Sequence, residues 1–273
     1  MPQSEEQLIA AARAGDTKAL EALLALYAPS VLRFGLKMCR DSEDAKDVLQ
    51  EVLLAAARSI HDFRGDASFA TWLFTVARSF CIKKHRVSKF APKETISLDQ
   101  EGAATQVAGT DLAPDELAAD RELGAALNRA IDELEPQSRE VLLLRDVEGL
   151  TAPEVATVLS ISVDAVKSRL HRARAQVRAR MEPVLPETHR VAPPSADCPE
   201  IVTIFSRYLE GEIGQAECAS MERHVASCDR CRAACDSLKH TLALCRATPK
   251  GGDVPEDVQA LVRSALRQLS VPR

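Results

Sequence analysis

An all-α fold is the prediction for this chain of 273 residues, and three observations carry it. The composition is rich in Ala, Leu, Val, Arg and Glu, while aromatic residues make up only 4%. Most of these residue types lose little freedom in a helix, whereas aromatics are enriched in strands. Apolar residues recur at three- and four-residue spacing, and no segment alternates apolar and polar as a half-buried strand does. Helix start signals, such as Thr151 and Ser162, stand directly ahead of apolar periodic runs. The length has room for about two domains, or three small ones.

Taken in order, Glu5–Tyr27 offers Leu8, Ile9, Ala12, Ala19, Leu23 and Leu26 for packing, with a break expected at Gly15-Asp16. Helix continues through Cys39. A further helix restarts at Asp41-Ser42 and runs to Ile60 as SEDAKDVLQEVLLAAARSI. Its core face is Val48, Leu49, Val52, Leu53 and Ala56, and Asp44, Asp47, Gln50 and Glu51 fall elsewhere. A polar loop, HDFRGDAS, leads into FATWLFTVARSFCIKKHRVSKF. There the aromatics Phe69, Trp72, Phe74 and Phe80 interleave with Arg78, Lys83, Lys84, His85, Arg86 and Lys89. Two of these four aromatics are expected in the core. Aromatic faces beside a basic run also suit single-stranded nucleic acid, whose bases stack and whose backbone seeks charge.

Residues 91–124 read as an acidic linker with little periodicity. Ile96–Ala125 holds seven acids and one base, while Val163–Met181 holds six basic residues against one acid, Asp164. The formal net charge of −5 therefore hides a strongly polarised chain. In LTAPEVATVLSISVDAVKSRLHRARAQVRARM, a short helix opened by Thr151 and Pro153 precedes a longer one capped by Ser162. Ala165, Val166, Leu170, Ala173 and Val177 make the buried stripe of the second helix. Lys167, Arg169, Arg172, Arg174, Arg178 and Arg180 lie mostly off it. A short helix, a tight turn and a longer basic helix form a helix-turn-helix, whose second helix fits the DNA major groove.

Proline-rich residues 183–197 mark a boundary, after which six of the eight cysteines crowd into Cys198–Cys245. Within that stretch His224, Cys228 and Cys231 form H-x3-C-x2-C, which on a helix places His224 and Cys228 on one face. Cys198 supplies a fourth ligand, and four such ligands suit tetrahedral zinc. Cys218, Cys235 and Cys245 are left as possible additional thiolates, while Cys39 and Cys81 read as small buried hydrophobes. Residues 249–273 end in an amphipathic helix with Val258, Leu261, Val262, Ala265, Leu266 and Leu269 on one face.

The runs EDAKDVLQEVLLAA, FRGDASFATWLFTVAR and LEPQSREVLLLRDVEGLTAPEVATVLSISVDAVKSRLHRAR resemble the extracytoplasmic-function sigma factors of the sigma-70 family. The resemblance covers Ala19–Lys89 and Ala126–Met181. It implies a region 2 over 1–90, the linker 91–124, a region 4 helix-turn-helix over 125–182, and no catalytic residues. Asp47, Gln50 and Glu51 would dock on the β′ clamp of core RNA polymerase, with the β flap as a second polymerase partner. Arg64, Ser68, Trp72, Phe74, Arg78, Lys83, Lys84 and Arg86 would bind and melt the −10 element. Ser162, Asp164, Lys167, Ser168, Arg169, His171, Arg172 and Arg174 would read the −35 element of promoter DNA. Ser79 and Lys83 stand where relatives often carry Asn and Asp, so the −10 preference does not transfer.

Residues 198–248 resemble the zinc-binding anti-sigma fold, with Cys198, His224, Cys228 and Cys231 in its ligand positions. A cysteine-rich tail on a sigma factor is similar to metal-responsive CorE-like sigma factors, which implies copper or cadmium sensing beside zinc. The C-x-C that such relatives carry in the inter-domain linker is absent from residues 91–124. The expectation is therefore a cytoplasmic sigma factor, not an enzyme, with a C-terminal domain that docks on its own sigma domains and senses metal or redox state. The N-terminus has no signal-peptide pattern, and no apolar run is expected to span a bilayer. The alternative is a metalloregulatory DNA-binding protein that does not bind polymerase.

Overall fold

The computed structural model describes residues 4–39, 41–90, 114–185 and 198–247, together with Ala260, Arg263 and Ser264. Among these residues there are α-helices and short tighter or wider turns, and no strand. In chain order the helices are α1 (Glu5–Arg13), α2 (Thr17–Met38), α3 (Ser42–Ser59), α4 (Phe69–Phe90), α5 (Pro114–Asp132), α6 (Pro136–Leu142), α7 (Ala152–Leu159), α8 (Val163–Met181), α9 (Ile201–Leu209), α10 (Gln215–Ser227) and α11 (Asp229–Ala247). They form two compact units. One holds α1 to α4 with α7, and the other holds α5, α6 and α8 to α11.

In the first unit each turn carries the residue its backbone requires. Ser4 and Gln7 cap α1 reciprocally, Ser4 Oγ accepting from the Gln7 N–H at 3.4 Å and Gln7 Oε1 from the Ser4 N–H at 3.0 Å. Gly15 sits at φ +96°, and the Asp16 carboxylate then accepts from the Lys18 and Ala19 amides to start α2. Asp41 begins α3 the same way, through the Glu43 amide at 3.0 Å. The core is the buried faces of α2, α3 and α4: Leu23, Leu24, Val31 and Phe34 meet Val48, Leu49, Val52 and Leu53, with Phe69, Leu73 and Phe74. Gly35 lets α2 and α3 close up, because a Cβ there would lie 3.3 Å from the Ala45 carbonyl oxygen.

Three sequence expectations change in this light. Leu26 is 52% exposed and does not join the core. Helix α2 does reach the length and mean hydropathy of a bilayer-spanning segment, yet half of its most apolar window is buried within the protein. It is a central core helix, and its apolar content serves that role. Finally, helix begins at Pro114 and not at the end of the expected linker. The Ala-, Leu- and Glu-rich run after that proline has high helix propensity, which outweighs its weak periodicity. The rest of the linker, the proline-rich 186–197 and most of the C-terminal amphipathic helix lie outside the described residues.

The second unit is built around α8, which packs against α5, α6, α9 and α11. Val166, Leu170, Ala173, Val177 and Met181 are its buried stripe. Arg139 pins the α5–α6 corner by donating from Nε to the Ile131 carbonyl at 3.2 Å and from Nη2 to that of Leu134 at 3.0 Å. Helix α6 runs on through Val147 in one wider turn, closed by the Glu148 N–H bonding the Leu143 carbonyl. The C-terminal helices have an apolar core of Ile201, Phe205, Met221, Ala234, Leu238 and Leu242, with Cys231 and Cys235 buried among them.

Candidate metal centre and DNA-reading helix

The C-terminal cysteines and histidine converge. One ligand atom each from Cys198, His224, Cys228 and Cys231 lies within 4.8 Å of every other. The H-x3-C-x2-C run is not one helix. Helix α10 ends at Ser227, Cys228 is extended at φ −124° and ψ 104°, and Cys231 lies in the first turn of α11. That break folds Cys231 back so that its Sγ sits 3.2 Å from His224 Nε2. Cys198 lies just ahead of α9 and brings its sulfur to 3.9 Å from that of Cys228.

This arrangement fits zinc. Sulfur ligands at about 2.3 Å around a tetrahedral zinc stand about 3.8 Å apart. Burial, followed by the neighbouring Cys198 and Cys228 thiols, pushes the Cys231 thiol up to about 12. A divalent metal among these sulfurs would supply the positive charge that favours thiolate ligands. Cys218, Cys235 and Cys245 are not in the cluster. Cys218 interacts with Glu222 on its own helix, while Cys235 and Cys245 are buried, and burial raises their thiols to about 11 and about 12.

Helix α8 begins as the sequence implies, with Ser162 Oγ accepting from the Ala165 amide at 3.2 Å. Its basic side, however, is occupied. Arg174 is 1% exposed. Its guanidinium grips Asp146 in two bonds, Nε to Oδ2 at 2.8 Å and Nη2 to Oδ1 at 2.6 Å. Nη2 also reaches Glu210 at 2.7 Å, and Nη1 donates to the Ser206 hydroxyl at 3.1 Å and the Ser206 carbonyl at 3.4 Å. Arg145 bonds the same Glu210 at 3.0 Å. Burial alone would raise the Glu210 carboxyl, but the Arg174 and Arg145 charges hold it below the ordinary value.

One turn earlier, His171 is wedged between Ser206 at 2.8 Å and Glu212 at 3.1 Å. A carboxylate only accepts, so His171 Nε2 carries a proton. The Ser206 hydroxyl accepts from Arg174, which leaves its own proton for His171 Nδ1 in the neutral ring. Lys167 stands 3.7 Å from Glu212. Of the expected −35 readers, Lys167, His171 and Arg174 thus face carboxylates from the turn between α9 and α10. Asp164, Ser168, Arg172 and the capping Ser162 remain exposed, and Arg169 is half-buried. The signal missed in the sequence is the acidic turn Glu210-Gly211-Glu212, a short negative cluster joining two helices of the tail.

In the first unit Asp47 and Glu51 are exposed on α3 and Gln50 is half-buried. Lys84 of α4 bridges Asp47 at 2.6 Å and Asp44 at 3.1 Å, so an expected DNA contact and an expected polymerase contact meet each other. Arg64 and Lys83 are exposed and Arg78 is half-buried. The side chain of Arg86 lies outside the described residues. Ser68 caps α4 through the Thr71 amide, and its hydroxyl donates to Glu154 of α7 at 2.6 Å. Phe74 is 2% exposed against Phe34, so it and Phe69 are the two core aromatics. Trp72 is half-buried in a cluster with Phe63 and Phe69.

Comparison with known proteins follows these three parts. The family model "Sigma-70 region 2" matches residues 23–90, "Sigma-70, region 4" matches 124–177, and "Putative zinc-finger" matches 198–232. The RNA polymerase sigma-H factor of Pseudomonas aeruginosa is 31% identical over 189 residues, which span 68% of this chain and 97% of the relative. The ECF RNA polymerase sigma-E factor of Escherichia coli strain K12 is 27% identical over 189 residues, 67% of this chain and 96% of the relative. A solved structure of CnrH in complex with the cytosolic domain of CnrY is 27% identical. It covers 63% of this chain and 93% of that chain, with a TM-score of 0.46.

Proposed function

This chain belongs to the sigma-70 family of RNA polymerase sigma factors, and we propose that its C-terminal zinc domain inhibits promoter reading by covering the recognition helix. The observation that carries the reading is the seating of Glu210 and Glu212 on Arg145, Lys167, His171 and Arg174. Carboxylates take the place that phosphates and base-edge acceptors would need. Promoter DNA and the α9–α10 turn cannot hold these side chains together.

The remaining roles are those that family membership implies, with the exposure and charge of the described side chains in support. On α3, Asp47, Gln50 and Glu51 form the docking face for core polymerase at its β′ clamp, with region 4 meeting the β flap. Arg64, Trp72, Arg78, Lys83 and Arg86 contact the −10 strand, while Phe74 holds the helix that presents them. Asp164, Lys167, Ser168, Arg169, His171, Arg172 and Arg174 contact −35 DNA once the tail lifts. A sigma factor acts where polymerase is, so the protein works in the cytoplasm.

The resident ion at Cys198, His224, Cys228 and Cys231 is zinc, which joins α9, α10 and α11 into one folded piece. Thiolate-rich sites also accept cadmium and Cu(I), so exchange at these residues is the route by which metal would relieve inhibition.

The test is promoter-duplex binding by the full-length zinc-loaded protein against Glu210→Gln/Glu212→Gln, read by fluorescence anisotropy at fixed salt. Loss of two charge-assisted contacts predicts affinity raised by about 10-fold or more, from about 1.5–3 kcal/mol of interaction to a charged group. Equal affinities in both proteins would defeat the reading.

A further inference from the structure

Two thiols that neither DNA reading nor zinc uses lie together in the first unit. Cys39 Sγ is 3.8 Å from Cys81 Sγ, although the residues are 42 positions apart in sequence. Both are reduced. Cys39 closes α2 as its C-terminal cap with an extended backbone (φ −88°, ψ 154°), and Cys81 lies on α4. Cys81 is 2% exposed, while Cys39 is half-buried and so reaches solvent.

We propose that Cys39 and Cys81 are a peroxide-oxidised dithiol, a reversible modification site that staples the end of α2 to α4. Cys39 is the attacking sulfur. The bond from Cys81 and then, against burial and the nearby carboxylates, the Lys84 ammonium favour its ionised form, so its thiol titrates below the ordinary value. In the first step the Cys39 thiolate takes the terminal oxygen of a peroxide. The O–O bond breaks, Cys39 becomes a sulfenic acid, and the departing oxygen leaves as water or alcohol after taking up a proton. In the second step the Cys81 sulfur attacks Cys39 Sγ. The S–S bond forms, the S–O bond breaks, and hydroxide leaves with the Cys81 proton as water. Two thiols and one peroxide therefore give one disulfide, one water from the sulfenic acid, and one further water or alcohol from the peroxide.

The geometry favours the second step. A disulfide needs its sulfurs at about 2.05 Å, so the pair must close by a little under 2 Å. Cys39 can supply this movement because it stands at a helix end, held there by its N–H bond to the Gly35 carbonyl at 2.7 Å. Cys81 is fixed by the helix around it. The zinc ligands belong to the other unit, so oxidation here is separate from loss of metal.

The experiment treats full-length zinc-loaded protein with a small molar excess of hydrogen peroxide, alkylates remaining thiols and maps the peptides by mass spectrometry without reduction. The expected product joins the peptides of Cys39 and Cys81 with the loss of two hydrogens, and dithiothreitol reverses it. In a Cys81→Ser variant, checked for native helicity by circular dichroism, Cys39 should be trapped by dimedone as the sulfenic acid. The thermal midpoint of oxidised wild-type protein should rise by several degrees, because the bridge closes a long loop. Complete alkylation of both cysteines after peroxide, or a Cys39-to-zinc-ligand bridge in place of the Cys39–Cys81 bridge, would overturn the proposal. So would a Cys81→Ser protein in which Cys39 gives no dimedone adduct.

Discussion

Helices α3 and α8 carry the two charged faces proposed to meet polymerase and promoter DNA, and they are treated oppositely. On α3 the acids Asp47 and Glu51 stay in solvent, Asp47 meeting the partly exposed Lys84. On α8 the bases Lys167, His171 and Arg174 are covered by the chain's own tail, with Arg174 and its partner Asp146 fully withdrawn from water. The energetics differ accordingly. An exposed pair such as Lys84–Asp47 contributes at most about 1 kcal/mol and is weakened by salt. A buried guanidinium with five satisfied donors instead makes its surroundings depend on every partner. The proposed control therefore acts on promoter reading and leaves the proposed polymerase-docking face on α3 exposed.

The most drastic way to break the contrast is to remove the metal. A structural zinc site contributes folding free energy outright, on the order of 10 kcal/mol for small zinc domains. Chelation, or Cys231→Ser, should melt α9 to α11 while leaving α1 to α4 folded. Amide hydrogen exchange would show protection lost in the C-terminal helices and on the outer face of α8, with α3 unchanged. Loss of protection in both units together would mean that the tail supports the whole chain.

Next in size is Arg174 itself. Arg174→Ala leaves Asp146 buried without a counter-charge, and breaking such a pair costs about 3–5 kcal/mol. Chemical denaturation of the full-length protein should detect this in the second unit. Arg174→Lys keeps the charge but loses the two-pronged grip on Asp146 and should fall between wild type and Ala. A pH series on wild-type protein probes the same contact. The Glu210 carboxyl is held below its ordinary 4.5, so its contribution is complete above that pH and is lost as pH falls through the folded-state value. The α9–α10 turn should therefore lift from α8 in acid, which exchange or anisotropy followed as pH falls below the ordinary carboxyl value would register. Glu210→Gln should flatten that dependence.

How much of this was legible in the sequence depends on the range of the interaction. The break at Gly15-Asp16 and the helix starts at Asp41 and Ser162 are local, the starts set by a side chain and an amide two or three residues on, and they read directly. The Cys198, His224, Cys228 and Cys231 cluster is also legible, because a metal demands sulfur and nitrogen at short, repeated spacings. The burial of Arg174 was not. It depends on Asp146, 28 residues earlier, and on Ser206 and Glu210, which are 32 and 36 residues later. A basic residue reads as exposed unless its partner is known, and nothing in the spacing of α8 separates Arg174 from Arg172. Phe74 shows the same limit: its periodicity allows a base-stacking face, and only contact with Phe34 places it in the core. The Cys39–Cys81 pair, 42 residues apart, has no spacing signature at all.

The smallest expected effect lies at the turn into the recognition helix. Helix α7 ends with Ser160 at φ 55°, the one described non-glycine residue in the left-handed region. The Ile161 N–H bonds back to the Ala156 carbonyl at 3.1 Å, closing the helix in the pattern that glycine usually completes. A serine Cβ in that conformation costs about 1 kcal/mol, and glycine would return part of this to its greater freedom in the unfolded chain. Ser160→Gly should therefore stabilise the turn by about 0.5 kcal/mol, seen as slower exchange of the Ile161 amide. Because Ser160 is exposed and is not among the residues that Glu210 and Glu212 pair with, promoter affinity should not change. A shift in affinity as large as that of the Glu210→Gln/Glu212→Gln protein would mean that the turn's geometry, and not the carboxylates on α8, sets the barrier to reading DNA.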